Sequence, residues 1–303
     1  MTSTNFILHL YPKPSPHSLL LRPTQSPINT RRIARSPLSV KCQAVGEQPE
    51  STAVYPGVYG PWKVESSDVK EVVLYRSGLV AAASSFVAAS SSAFLRNTDS
   101  GLSELIGRNL DLFYGVGACG LGLSLYLIHI YVTEIKRTLQ ALWAAGALGS
   151  LAAYAALAQP AGKSLVEYVV ENPTAVWFVG PLFAALTGLV FKEVSVVVNQ
   201  VKFMSNAYFA SLCYGKLEAG ILTFIIPSVL LGHLTGLMDE GTKLTLLGVW
   251  MALFVVFAGR KFTQPIKDDI GDKSVFIFNA LPEEEKEALI RRLKEQDNQL
   301  DLD

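Results

Sequence analysis

Six long stretches of this chain contain no Asp, Glu, Lys or Arg: residues 77–94, 112–132, 139–158, 175–191, 220–238 and 244–259. A hydrocarbon core of roughly 30 Å is crossed by about 20 helical residues, with about 17–25 the usual range. Backbone N–H and C=O groups have no water to bond there, so a continuous apolar run of this length must close its hydrogen bonds internally as an α-helix. A membrane barrel would alternate apolar and polar residues; these runs do not. Composition agrees: half of the residues are hydrophobic and only 17% are charged, against roughly 25% in ordinary soluble chains, and the mean hydropathy is +0.31. The expected fold is all-α, a multi-pass transmembrane bundle of about six spans over 77–261. The short apolar stretch 194–211 carries Asn199, Gln200, Lys202 and Asn206 and is expected to be a loop rather than a seventh span.

The flanks differ in kind. No Asp or Glu precedes Glu47, whereas Lys13, Arg22, Arg31, Arg32, Arg35 and Lys41 are basic, and hydroxyl residues and prolines are dense. A basic, acid-poor, hydroxyl-rich leader has the composition of an organelle transit peptide, and its prolines oppose the amphipathic helix of a mitochondrial one. Residues 1–43 therefore read as a chloroplast transit peptide, with Ser39 to Ala44 as the processing region. Residues 44–76 are expected to be an irregular arm, and 262–303 a soluble tail with a short helix from Leu281 to about Gln296, acidic at its start and basic near its end. The net charge is zero, and the basic residues lack a nucleic-acid-binding pattern. The expected partners are the lipid bilayer and other plastid membrane proteins, not nucleic acid.

An even number of spans places both termini on one side. That side then holds twelve Lys and Arg near the span ends, against four on the other (Arg96, Arg108, Lys163 and Lys243). The excess marks the cytoplasmic-equivalent side, here the stroma. Small residues at four-residue spacing (Ser84 and Ala88, Ala145 and Gly149, Gly146 and Ser150, Gly232 and Gly236) predict close helix contacts, and Pro227 predicts a kink in the fifth span.

Two histidines remain beyond the leader, His129 and His233, and both fall inside expected spans, where an ionisable side chain is costly. A shared haem is excluded by depth: about 4.5 Å from the stromal end for His129 and about 20 Å for His233, at 1.5 Å per residue. Ligation of haem or chlorophyll by a single histidine stays open beside hydrogen bonding to a neighbouring helix. Lys192, Glu193, Lys216 and Glu218 gather at the stromal end and are expected to form an ion-pair collar. Cys42, Cys119 and Cys213 have neither disulfide nor thiolate-metal spacing. Ala161-Gly-Lys-Ser164 lacks the first glycine of a phosphate loop, since Leu157 stands there. No HExxH, intramembrane aspartate pair or Ser–Lys dyad occurs, so no enzyme, cofactor or metal site is expected.

Three motifs, Phe191-Lys-Glu193, Cys213-Tyr-Gly-Lys-Leu-Glu218 and Ile225-Ile-Pro-Ser-Val-Leu-Leu-Gly-His-Leu234, resemble a family of uncharacterised integral membrane proteins shared by cyanobacteria and plant chloroplasts. The resemblance covers roughly 70–262. In that family the first two motifs are nearly adjacent; here 194–211 separates them, which reads as a splice or gene-model insertion. The resemblance implies a multi-pass protein of photosynthetic membranes, the thylakoid ahead of the inner envelope, and no set activity. The leading functional expectation is a non-enzymatic accessory, assembly or scaffold component. The alternative is a small-solute or ion transporter or channel with a site near the kinked fifth span.

Overall fold

The computed structural model describes residues 53–95, 100–201 and 217–300, with backbone alone for 193–201 and 297–300. The transit-peptide region and Lys216 lie outside the described residues, as do the Glu193 side chain and most of 194–211.

Nothing between Trp62 and Gly78 breaks a helix, and Asp68 accepts the Glu65 N–H at 2.8 Å. Helix α1 therefore begins at Ser66 and runs Ser66–Leu95, 30 residues, about 45 Å long at 1.5 Å per residue. This corrects the irregular geometry expected for the arm over its residues 66–76. Charge ends a membrane span but does not end a helix, so Asp68, Lys70, Glu71 and Arg76 ride on a helical extension beyond the hydrocarbon. The described part of the arm before it, from residue 53, holds a small hairpin. Strands β1 (Val54–Tyr55) and β2 (Trp62–Lys63) pair antiparallel, Val54 opposite Lys63 and Tyr55 opposite Trp62. Gly60, at φ +134°, supplies the turn conformation that other residues avoid.

The chain continues through α2 (Gly101–Arg108), α3 (Leu110–Leu127), α4 (Thr133–Ala153), a π-helical turn (Tyr154–Ala158) and α5 (Leu165–Glu171). Then come α6 (Val176–Val201), α7 (Leu217–Thr235) and α8 (Glu240–Arg260). After them follow α9 (Ile266–Ile270), α10 (Lys273–Ala280) and α11 (Glu283–Leu300). Among the described residues six helices are long and apolar enough to cross a membrane: α1, α3, α4 with its π turn, α6, α7 and α8. Helix α3 stops at Leu127, five residues before the expected end. Residues 128–132 (Ile-His-Ile-Tyr-Val) are β-branched or aromatic at most positions and leave the helix in extended geometry, with Ile128 at φ −60°, ψ 132°. Helix α6 continues to Val201, so the first half of the expected 194–211 loop is helical.

The six long helices pack in sequence order, each against the next, and α8 returns to α1. Within this ring the core-facing residues recur at helical spacing. Leu79, Ala82, Ala83 and Phe86 of α1 and Leu182, Ala185, Leu186 and Leu189 of α6 are all buried, with Trp250, Phe254 and Phe257 of α8 packed in the same cluster. Glycine brings backbones together where the ring is tightest. A Cβ on Gly120 would lie 2.6 Å from the Gly78 carbonyl oxygen, and one on Gly146 would lie 2.2 Å from the Leu182 amide nitrogen. Hydrogen bonds join neighbouring helices: Ser124 Oγ donates to the Tyr75 carbonyl at 2.9 Å, Trp143 Nε1 to the Ala118 carbonyl at 2.8 Å, and the Tyr114 and Ser150 hydroxyls meet at 2.7 Å. In hydrocarbon such bonds and close contacts supply the cohesion that water supplies elsewhere.

The spacing of Gly232 and Gly236 has a different meaning from the one expected. A Cβ on Gly232 would meet the Met238 side chain at 2.6 Å, so that glycine makes room for the chain leaving α7, not for another helix. Gly236 has φ +66° and nothing near its missing Cβ. It ends the helix in the left-handed conformation that glycine adopts without strain. Pro227 lies inside α7, which continues as α-helix on both sides of it, and α6 has its own internal proline, Pro181.

Candidate functional site

The N-terminal hairpin and the C-terminal segment meet at one end of the helix ring, and most of the described charged network is there. Asp272 accepts the Val58 N–H at 2.7 Å, Ser274 Oγ accepts the Tyr59 N–H at 3.1 Å, and Tyr59 stacks on Phe278 with ring centres 3.8 Å apart. Lys273 bonds both Asp68 carboxylate oxygens, at 2.8 and 3.1 Å, and lies 3.3 Å from Glu65. Burial opposes the charge on Lys273, but those bonds and the two carboxylates outweigh it and hold its pKa above the ordinary lysine value.

Behind this surface, α9 tucks Asp269 beneath three long helices. Asp269 Oδ1 accepts from Lys261 Nζ at 2.7 Å, its Oδ2 accepts from Arg76 Nε at 2.7 Å, and its backbone carbonyl accepts from Lys192 Nζ at 3.2 Å. Arg76 also bonds the carbonyl oxygens of Gln264 and Pro265, at 2.9 and 3.3 Å. Lys192 and Lys261 each lie 5.6 Å from the centre of the Tyr75 ring. The Lys261 and Asp269 side chains are each 2% exposed. Buried charge is tolerated only when paired and hydrogen-bonded, so this cluster ties α1, α6 and α8 to the tail.

Of the expected collar of Lys192, Glu193, Lys216 and Glu218, two members have described partners. Lys192 reaches Asp269, and Glu218 pairs with Arg260 at the start of α7 and the end of α8. The Glu193 side chain and Lys216 fall outside the described residues. The key partners, Arg76, Lys261 and Asp269, are charges at span ends and in the tail. Their only sequence signal is that Asp269 sits next to apolar Ile270 before Gly271, which does not say which of Asp268 and Asp269 turns inward.

The two histidines lie at different ends of the ring. His129, expected within the second span, lies just past the end of α3, with its Nε2 3.4 Å from Glu71 Oε2 and its ring edge-on to Phe276. Burial first, and then the charge of Lys192, push the imidazole below its ordinary 6.5, while Glu71 works the other way. A histidine whose folded pKa is lowered contributes its stability above the unfolded value and loses it as pH falls, because the unfolded chain takes up the proton first. The thermal unfolding midpoint in detergent is expected to fall as pH drops below about 6.5, and His129→Gln to remove that part of the pH dependence.

His233, in the last turn of α7, places Nε2 3.0 Å from the Val169 carbonyl oxygen of α5. Ser164 sets α5 in place through a reciprocal cap with Glu167, and Asp111 accepts the Leu165 N–H at 2.7 Å. The Ala161–Ser164 stretch is thus a helix start, without a phosphate loop's strand. One neutral hydrogen bond contributes about 0.5–1.5 kcal/mol, so His233→Ala is expected to lower the unfolding midpoint modestly. Among the described residues no three His, Cys, Asp or Glu side chains are grouped to hold a metal ion.

Residues 123–278, just over half of the chain, match the family described as "Uncharacterized integral membrane protein (DUF2301)". The chain belongs to that family. With six spanning helices it is a multi-pass integral membrane protein. The DUF2301 match runs from the last turns of α3 through α10, so it takes in Lys192, Lys261 and Asp269 but not the α1 residues that face them. No curated protein and no solved structure matches the chain.

Proposed function

We propose that this DUF2301 protein is a non-enzymatic accessory, assembly or scaffold component of a plastid membrane, the thylakoid ahead of the inner envelope, with both termini in the stroma. The observation that carries the reading is the division of labour within the bundle. Apolar side chains fill the ring, with Leu79, Leu121, Leu182, Leu186, Leu189 and Leu222 each wholly enclosed, while hairpin, span ends and tail are knitted into one polar face. A body so built presents a surface to other proteins more readily than a path to a solute. The basic, acid-poor leader and the likeness to proteins of cyanobacteria and chloroplasts support the plastid, and the twelve-to-four excess of Lys and Arg supports a stromal tail.

Affinity purification of the tagged protein from chloroplast membranes tests this reading. The expected result is stoichiometric recovery of other membrane proteins, with no visible absorbance belonging to this chain. Solitary migration on native gels would count against the accessory role, and a haem or chlorophyll spectrum that follows His129 or His233 would replace it with pigment binding. The transporter alternative draws on Pro181 and Pro227, which interrupt hydrogen bonding within two adjacent helices. It requires flux in liposomes that His233→Ala alters.

A further inference from the structure

An open cleft of about 290 Å³ lies where α1, α3 and α4 reach the tail end of the bundle, lined by Glu71, Tyr126, Leu127, His129, Lys136 and Gln140. Its volume sits at the lower edge of the roughly 300–1,000 Å³ of small-molecule sites, room for one ring-sized group. Its location is specific. Tyr126 and Leu127 belong to the last turn of α3, and Leu123, one turn further into the membrane on the same side of the helix, is exposed like Tyr126. The cleft thus opens at headgroup level, where tyrosine is favoured, with an apolar track running from it toward the hydrocarbon.

The lining decides the chemistry. Glu71 brings a carboxylate, half exposed and 3.4 Å from the His129 ring. Gln140 spends one of its two amide N–H donors on the Leu125 carbonyl at 3.1 Å, which leaves one donor and its acceptor oxygen. Lys136 brings an ammonium that only donates. A phosphate or sulfonate only accepts and would face the Glu71 carboxylate; a quaternary ammonium would face Lys136. Hydroxyl groups donate and accept, and so can bond every one of these groups. We propose that this cleft is a binding site for the headgroup of a neutral glycolipid, with the sugar hydroxyls between Glu71, Lys136 and Gln140, the Tyr126 ring against the sugar's apolar face, and an acyl chain along Leu123.

The site is scored on the purified full chain without partners, so its failure and that of the accessory role are separate outcomes. Delipidated protein is offered equal amounts of monogalactosyl diacylglycerol, phosphatidylcholine and phosphatidylglycerol with matched acyl chains, and retained lipid is read by native mass spectrometry. The galactolipid is expected to be retained preferentially. Glu71→Leu and Tyr126→Leu are each expected to weaken that preference about tenfold, the effect of one charge-assisted bond or one stacked ring. Both side chains are substantially exposed, at 50% for Glu71 and 71% for Tyr126, so neither change undermines folding, and unchanged unfolding midpoints would verify this. Equal or stronger retention of phosphatidylglycerol overturns the proposal, as does wild-type galactolipid retention by both variants. Displacement of the galactolipid by an equal concentration of free galactose would assign the cleft to a soluble sugar and overturn the lipid assignment.

Discussion

Replacing Asp269 with alanine is expected to cost about 3–5 kcal/mol, the usual effect of removing one partner from a buried ion pair. The loss is large because the carboxylate serves two cations, Lys261 on Oδ1 and Arg76 on Oδ2, and neither can turn to solvent. The Lys261 side chain is 2% exposed. Without Asp269 its ammonium would be left uncompensated, and the tail would lose its anchor. In detergent the unfolding midpoint is expected to fall by roughly 10 °C, and the tail to become sensitive to protease after Lys261. Lys261→Met in the same background removes the stranded charge while keeping most of the side-chain volume, so the double variant is expected to recover part of the loss. A double-mutant cycle measures the coupling; additive effects would mean that the pair does not hold the tail.

The second large effect concerns Gly146. Valine there places its Cβ 2.2 Å from the Leu182 amide nitrogen and 2.7 Å from the Leu182 Cα. Overpacking ordinarily costs about 1–3 kcal/mol, but here the obstruction is the backbone of α6, which cannot rotate away. Gly146→Val is expected to exceed that range and to separate α4 from α6, with loss of folded protein in size-exclusion profiles. Gly115 is the control, since a Cβ there meets nothing within 4 Å. Gly115→Ala is expected to leave the midpoint unchanged or slightly raised, because alanine favours the helix by about 1 kcal/mol.

These two sites also mark what the sequence could and could not convey. The six spans were legible because an uncharged apolar run of bilayer length has one stable conformation. The contact at Gly146 and Gly149 was legible because small residues at four-residue spacing form a flat helix face. The same spacing at Gly232 and Gly236 carried another message, helix termination at Gly236, since a glycine serves close helix contact and positive φ alike. Helix ends differ from span ends for a related reason: α1 begins eleven residues before the span expected from 77 because charged residues are compatible with a helix outside the membrane, and α3 stops early at a β-branched stretch. The buried charged cluster was hidden by distance along the chain. Arg76 and Asp269 stand 193 positions apart, and no local pattern states that the tail folds back beneath the ring. The partners of His129 and His233, Glu71 and the Val169 carbonyl, come from separate elements that only the packed bundle brings within reach.

The arrangement on which all of this depends is a six-helix membrane body with its N-terminal hairpin and C-terminal tail on the same face. Single-cysteine reporters test it directly in sealed, oriented chloroplast membrane vesicles, with the native cysteines replaced. Val58→Cys and Ile290→Cys should react with an impermeant maleimide from the stromal side, and Leu237→Cys, 89% exposed between α7 and α8, only after the vesicles are opened. Labelling of Val58→Cys and Ile290→Cys from opposite sides would contradict the account.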